Sequence, residues 1–200
     1  MIRSPTAAET RTPGSGEPSG AETTLHATKL ASWLEIHADG KIVARTGKTE
    51  TGTSSSAFYA QAIAEELDVD PKSITLVMGS TDETPEGGYS AGFLGGVNNL
   101  KKVASMTRTA LRGLAARKLG VPAADLTVSN GVVSGVVGGT AKSVSYAELV
   151  KGQQLEVAIK VTGAMPKLDP KDPVGMTSLG GLNIAGNPPL KPIAQYKVVG

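Results

Sequence analysis

Twice between residues 33 and 119 the chain runs from a short strand into a loop of small residues and then into a helical pattern, and this repetition limits the fold more than any other feature. Leu34 and Ile36 share one face of an extended segment, Asp39-Gly40 turns it back, and Lys41 to Thr46 returns with the β-branched Ile42 and Val43. An Asp-Gly pair suits a tight hairpin because both central positions accept positive φ. The loop Gly47 to Ser56 follows, and Tyr59, Ile63 and Leu67 then fall on one helical face. Asp70-Pro71 stops that helix, since the residue before a proline is pushed out of the helical region. Ile74, Leu76 and Met78 alternate as a strand, and Ser80 to Gly96 reads as a second loop, too glycine-rich for a helix or a central strand. Leu100, Val103, Thr107, Ala110, Leu111 and Leu114 then stripe the longest helix, which Gly120 and Pro122 end.

Beyond it, Leu126 to Val128, Asn130-Gly131 and Val132-Val133 predict a second hairpin, and Ser145 with Glu148 has the spacing of a capping box opening a short helix at Tyr146. Leu155, Val157, Ile159 and Val161 alternate with Glu156 and Lys160 as a half-buried strand. The expected fold class is α+β, a small mixed sheet with hairpins packed against two main helices. Residues 1–28 read as a disordered tail, rich in Pro, Gly, Ser, Thr and Glu and poor in large apolar side chains. The α+β domain is expected over residues 29–162, and residues 163–200, broken by Pro166, Pro170, Pro173, Pro188, Pro189 and Pro192, as an extended connector or wrapping segment.

Composition narrows the chemistry. The 20 basic and 18 acidic residues are spread along the chain without a Lys/Arg block, which argues against nucleic acid as a partner. Lys101, Lys102, Arg108, Arg112, Arg117 and Lys118 read as a solvated helix face. The absence of cysteine removes disulfides, iron–sulfur ligation, thiolate zinc sites and a thiol nucleophile, and the only imidazoles are His26 and His37, each read as a surface residue. No apolar run has the length of an export signal or a membrane span. Both loops stand where amides at a helix N-terminus can receive an anion. Gly47-Lys48-Thr49 is no phosphate loop, because Ile42 stands where that motif needs glycine, and Gly87 to Gly96 lacks the dinucleotide-binding spacing. Asp82, Glu83 and Glu86 on a glycine-rich loop are either a carboxylate set for acid–base work or solvated charges, whereas Glu50 is a single acid in a neutral loop, placed either to accept hydrogen bonds from loop amides or to face solvent.

The order and spacing of several segments carry a resemblance. They are Trp33-Leu34-Glu35-Ile36, Asp39-Gly40-Lys41, Thr46 to Thr53, Ala64-Glu65-Glu66-Leu67-Asp68-Val69, Val77 to Thr81, Thr84 to Gly92, Leu119-Gly120-Val121-Pro122 and Tyr146-Ala147-Glu148-Leu149. Over roughly residues 31–162 the chain resembles the molybdopterin-binding large subunit of xanthine dehydrogenase and aldehyde oxidase type hydroxylases, and more narrowly the isoquinoline 1-oxidoreductase or nicotinate dehydrogenase type. The resemblance implies a larger oxidoreductase that hydroxylates a carbon beside nitrogen, or an aldehyde carbon, with oxygen from water. It implies molybdopterin as cofactor, in its cytosine dinucleotide form, and as partners the remainder of the large subunit, an iron–sulfur subunit and a small-molecule substrate. Cofactor-facing positions carried over are Glu50, Gly52, Thr53 and Ser54 in the first loop and Gly87, Gly88, Ser90 and Gly92 in the second. The family's catalytic glutamate falls beyond Gly200, so no catalytic or metal-ligating residue is assigned within this chain. The family's loop has glycine at Ser54 and a small or polar residue at Phe93, and these departures keep open a second reading, a non-catalytic scaffold of the same fold.

Overall fold

The computed structural model describes residues 27–80, 83–85, 93–151, 155–162 and 183–192. Strand β1 (Leu34–Ile36) pairs antiparallel with β2 (Ile42–Thr46) through the Asp39-Gly40 turn, in the register Leu34 opposite Ala44 and Ile36 opposite Ile42. Gly40 takes φ +88°, and Asp39 Oδ1 accepts the Lys41 N–H at 3.0 Å, so the turn is fixed by its own side chain. Helix α1 (Ser55–Leu67) buries Tyr59, Ala62, Ile63 and Leu67 and stops at Asp68, whose left-handed backbone donates back into the last turn. The helix therefore ends before Asp70-Pro71, which instead starts a single 3-10 turn with Asp70 accepting the Lys72 N–H.

Strand β3 (Ile74–Met78) lies parallel to β2, with Ile42 opposite Ile74 and Thr46 opposite Met78. Parallel neighbours need a long crossover, and here α1 supplies it. The first sheet is thus mixed, in the order β1-β2-β3. Helix α2 (Phe93–Leu119) is the spine of the molecule. Leu100, Val103, Ala104, Leu111 and Ala115 have no exposed surface and pack with Trp33, Leu34 and Ile63 in one apolar core. The helix starts four residues earlier than the glycines predicted, so Gly96 lies inside its first turn rather than in a loop.

The second hairpin grows into a sheet of its own. Strands β4 (Thr127–Ser129), β5 (Val132–Val137) and β6 (Thr140–Ser145) pair antiparallel in that order. Asn130 and Gly131 take φ +46° and +72° in the first turn, and Gly138-Gly139 makes the second. Val133 and Val144 press this sheet on the core. Helix α3 (Tyr146–Val150) opens on the expected capping box, in which Ser145 and Glu148 satisfy each other's backbone N–H. Glu148 is held below the usual carboxylate range, chiefly by the Ser145 N–H.

Residues 155–162 keep the predicted alternation, with Ile159 buried and Glu156 and Lys160 exposed, but pair only briefly. Ala158 bridges Lys29, and β7 (Val161–Thr162) pairs with β8 (Asn183–Ile184). From β8 the segment to Pro192 crosses the polar side of α2. Lys101, Lys102 and Arg108 reach it, and Lys101 is only 3% exposed, which corrects the solvated-face reading. Arg112 is spent on the carbonyls of Ala123 and Leu126; among the six cations only Arg117 and Lys118 stay exposed.

Candidate cofactor-facing loop

Because β2 and β3 run the same way, the loops that follow them leave from one edge of the sheet, where open parallel sheets place their ligands. The Gly79 N–H donates to the Thr46 carbonyl at 3.0 Å as the two strands end. A Cβ on Gly79, which has φ +66°, would stand 2.6 Å from Thr49 Cγ2, so only glycine lets the end of β3 pass the first loop. The first turn of α2 closes the third side. A Cβ on Gly96 would stand 2.6 Å from the Tyr59 hydroxyl and 3.0 Å from Lys48 Cγ. Lys48 is accordingly 7% exposed. Residues 47–54, the end of β3 and the start of α2 converge, and the contacts that bring them together, at Lys48, Gly79 and Gly96, are ones that sequence reasoning misses. The readable signal for Gly96 is a Gly-Gly pair directly ahead of a helical stripe.

Glu50 shapes the loop. Its Oε1 accepts the Thr53 N–H at 3.0 Å, and its Oε2 accepts the Ser56 N–H at 2.8 Å and the Ser55 hydroxyl at 3.0 Å. These bonds, the Ser56 N–H foremost, hold the carboxyl down to about 2. Of the two placements open to Glu50, the structure shows the amide-accepting one, although the residue is exposed. Ser54 occupies the N-cap position of α1 yet makes no side-chain cap bond, so Glu50 does that work from four residues upstream. An arriving anion therefore finds the amides of Thr53 and Ser56 already engaged by the chain's own carboxylate.

The exposed ridge of the loop is open to close approach. Gly52 has φ +82° and nothing within 4 Å of where a Cβ would stand, and Thr53 and Ser54 are exposed beside it. Ser54 takes φ +56°, a left-handed conformation at the position where the resembling family has glycine. The serine thus keeps the glycine-like backbone and adds a hydroxymethyl group to the exposed ridge. Gly87, Gly88, Ser90 and Gly92 lie outside the described residues, as do Asp82 and Glu86, while Phe93 begins α2. His37 is an exposed residue 3.9 Å from Glu35, and His26 lies outside the described residues. Among the described residues no group of three or more His, Asp or Glu side chains is placed to hold a metal ion, and no helix is long and apolar enough to cross a membrane.

A family model described as a molybdopterin cofactor-binding domain matches residues 12–181. A nicotinate dehydrogenase subunit from Pseudomonas putida is 31% identical over 193 residues, which is 94% of this chain and 14% of that protein. Among solved structures, quinoline 2-oxidoreductase from Pseudomonas putida 86 shares 26% identity at a TM-score of 0.50, over 58% of this chain and 15% of that one. The reconstituted CO dehydrogenase from Oligotropha carboxidovorans shares 25% identity at a TM-score of 0.51, over 62% of this chain and 17% of that one. This chain thus spans only 14% to 17% of the length of these relatives. It belongs to the molybdopterin cofactor-binding domains of the xanthine dehydrogenase and aldehyde oxidase family of molybdenum oxidoreductases.

Proposed function

We propose that the chain supplies cofactor-facing loops to a molybdenum hydroxylase whose large subunit is completed by further polypeptide. The observation that carries this reading is the convergence of residues 47–54, the end of β3 and the first turn of α2 at the carboxyl edge of a parallel strand pair. When bound, the cofactor supplies the molybdenum redox chemistry. The chain's own contribution is positional: Glu50 fixes the loop, and Gly52, Thr53 and Ser54 line the approach, together with Gly87, Gly88, Ser90 and Gly92 of the second loop. Residues 29–162 act as the binding domain and residues 163–200 as its connector to the remainder.

The nicotinate and quinoline relatives favour an N-heterocycle as substrate over an aldehyde, with hydroxylation at a carbon beside the ring nitrogen. The cofactor form proposed is the cytosine dinucleotide, and the electron partner an iron–sulfur subunit, since this chain has no cysteine with which to hold a cluster. The catalytic base, a glutamate, comes from the completing polypeptide. Ser54 favours one rival, a scaffold that kept the fold without the cofactor. Co-purification of the chain, expressed with the reading frame that follows its own, decides between them by metal and pterin analysis. Stoichiometric molybdenum and pterin support the hydroxylase reading, and a tight complex free of both supports the scaffold.

A further inference from the structure

The polar side chains along one side of α2 converge on a single segment and, within it, on its main chain. Asn99 Oδ1 accepts the Ile184 N–H at 2.9 Å, and Lys102 Nζ donates to the Ile184 carbonyl at 2.8 Å. Ser105 Oγ and Arg108 both donate to the Pro189 carbonyl, at 2.8 and 2.9 Å. Lys101 Nζ donates to the Lys191 carbonyl at 2.7 Å. From α1, Glu66 Oε1 accepts the Lys191 N–H at 2.8 Å.

Glu66 is fully buried, and the same carboxylate meets Lys101 Nζ at 3.2 Å and Arg108 Nη1 at 3.1 Å. Two cations thus share one carboxylate, and each also donates to a carbonyl of the segment, Lys101 to Lys191 and Arg108 to Pro189. A buried charge needs every such partner. Without residues 184–191, Lys101 and Glu66 would each lose a hydrogen bond deep in the molecule. The segment's own side chains add one apolar anchor, Ile184 at 1% exposure, and little beyond it: Lys191 pairs with Asp68 at a third exposure, and Leu190 is exposed.

We propose that this face of α1 and α2 is a docking groove for an extended polypeptide, recognised through its main-chain groups, and that its occupant is the chain's own segment 184–191. A groove of this kind reads conformation rather than side-chain identity, as sheet edges do when they take up a strand. Beyond the Ile184 anchor it accepts sequence change along the segment as long as the N–H groups at 184 and 191 and the carbonyls at 184, 189 and 191 survive. Docking and completion of the buried Glu66 cluster are then one cooperative event.

Hydrogen exchange on the full chain tests this through a pair of substitutions at one position. Lys191→Ala keeps the N–H and removes the side chain; Lys191→Pro removes the N–H. Protection of the Ile184 amide is expected to stay within about threefold of wild type in Lys191→Ala, and to fall about tenfold or more in Lys191→Pro, the scale of one hydrogen bond to a charged group. Equal loss in both variants would show that side chains hold the segment, and no loss in either that the Glu66 bond does not; each result overturns the proposal. Should Lys191→Pro fail to fold, Lys102→Met carries the test. It keeps an apolar stem while deleting the donor to the Ile184 carbonyl, and unchanged exchange at Ala185 there would equally refute the groove.

Discussion

Glycine to alanine at two positions of α2 is expected to change stability in opposite directions. In a helix interior alanine is favoured over glycine by about 1 kcal/mol, because glycine loses more backbone freedom on folding. At Gly113 a new methyl group finds only the Arg117 guanidinium, 4.0 Å away and free to move. Gly113→Ala therefore gains most of that ~1 kcal/mol. At Gly96 the same methyl stands 2.6 Å from the Tyr59 hydroxyl and 3.0 Å from both Tyr59 Cζ and Lys48 Cγ. Tyr59 is 2% and Lys48 7% exposed, so neither side chain can swing out into solvent. Overpacking of this kind costs about 1–3 kcal/mol. It outweighs the propensity gain, which is also smaller in a first turn. The net loss for Gly96→Ala is about 1 kcal/mol, and the two variants are separated by about 2 kcal/mol, or roughly 4–8 °C in Tm for a chain of this size. Urea unfolding with a common slope reads the difference from the midpoints. A Gly96→Ala protein as stable as Gly113→Ala would refute the close approach of α2 to α1 and the first loop.

Three further outcomes follow from the same geometry. Glu50→Gln lowers stability at neutral pH, and because the folded carboxyl sits near 2 against an ordinary 4.5, the stabilisation is present above about pH 4.5 and lost as the pH falls toward 2; Tm against pH should show the variant and wild type converging in acid. Tyr146→Phe removes a buried hydroxyl that donates to the Leu67 carbonyl at 3.0 Å and should cost about 1–2 kcal/mol by urea unfolding. Burial raises the Tyr146 phenol, so wild-type stability falls as the pH rises above about 10, and the variant's falls less. Ser54→Gly relieves a left-handed serine worth about 1 kcal/mol of strain against about 0.5 kcal/mol of added chain entropy, so Tm should rise by roughly 1–2 °C.

Local chemistry makes much of the fold legible in the sequence. Asp39-Gly40, Asn130-Gly131 and the Ser145/Glu148 box each act within four residues; the last two do in the structure what their residue types require, while at Asp39-Gly40 only the glycine takes the positive φ and the aspartate instead accepts the Lys41 N–H. Strand β6 escapes a reading by pattern, because Val144 is the only buried side chain in Thr140–Ser145; the Gly138-Gly139 turn ahead of it is the available signal. The basic stripe of α2 misleads for a different reason. Lys101, Lys102 and Arg108 look solvated in any local window, and their carbonyl partners lie more than 80 residues further along the chain. At the candidate site, the small-residue character of residues 47–54 is legible, but its closeness to Gly79 and Gly96 depends on the parallel pairing of β2 with β3, which no spacing rule announces.

The bridge between Lys29 and Ala158 has a mechanical consequence. Leu30 donates to Val157 at 3.1 Å and Ile159 to Thr28 at 2.7 Å, so residues 28–30 and those that follow α3 are stitched together antiparallel. Tension applied through polypeptide on the N-terminal side of this seam would load its bonds one at a time, as a zipper opens, rather than all together as in shear. Tension from that side would meet the seam before it reached the helical core, whereas from the other side the docked residues 184–191 would take the load first. A pull on the chain ahead of residue 28 would thus first loosen this seam, which is separate from the β2–β3 edge where the first loop and α2 meet.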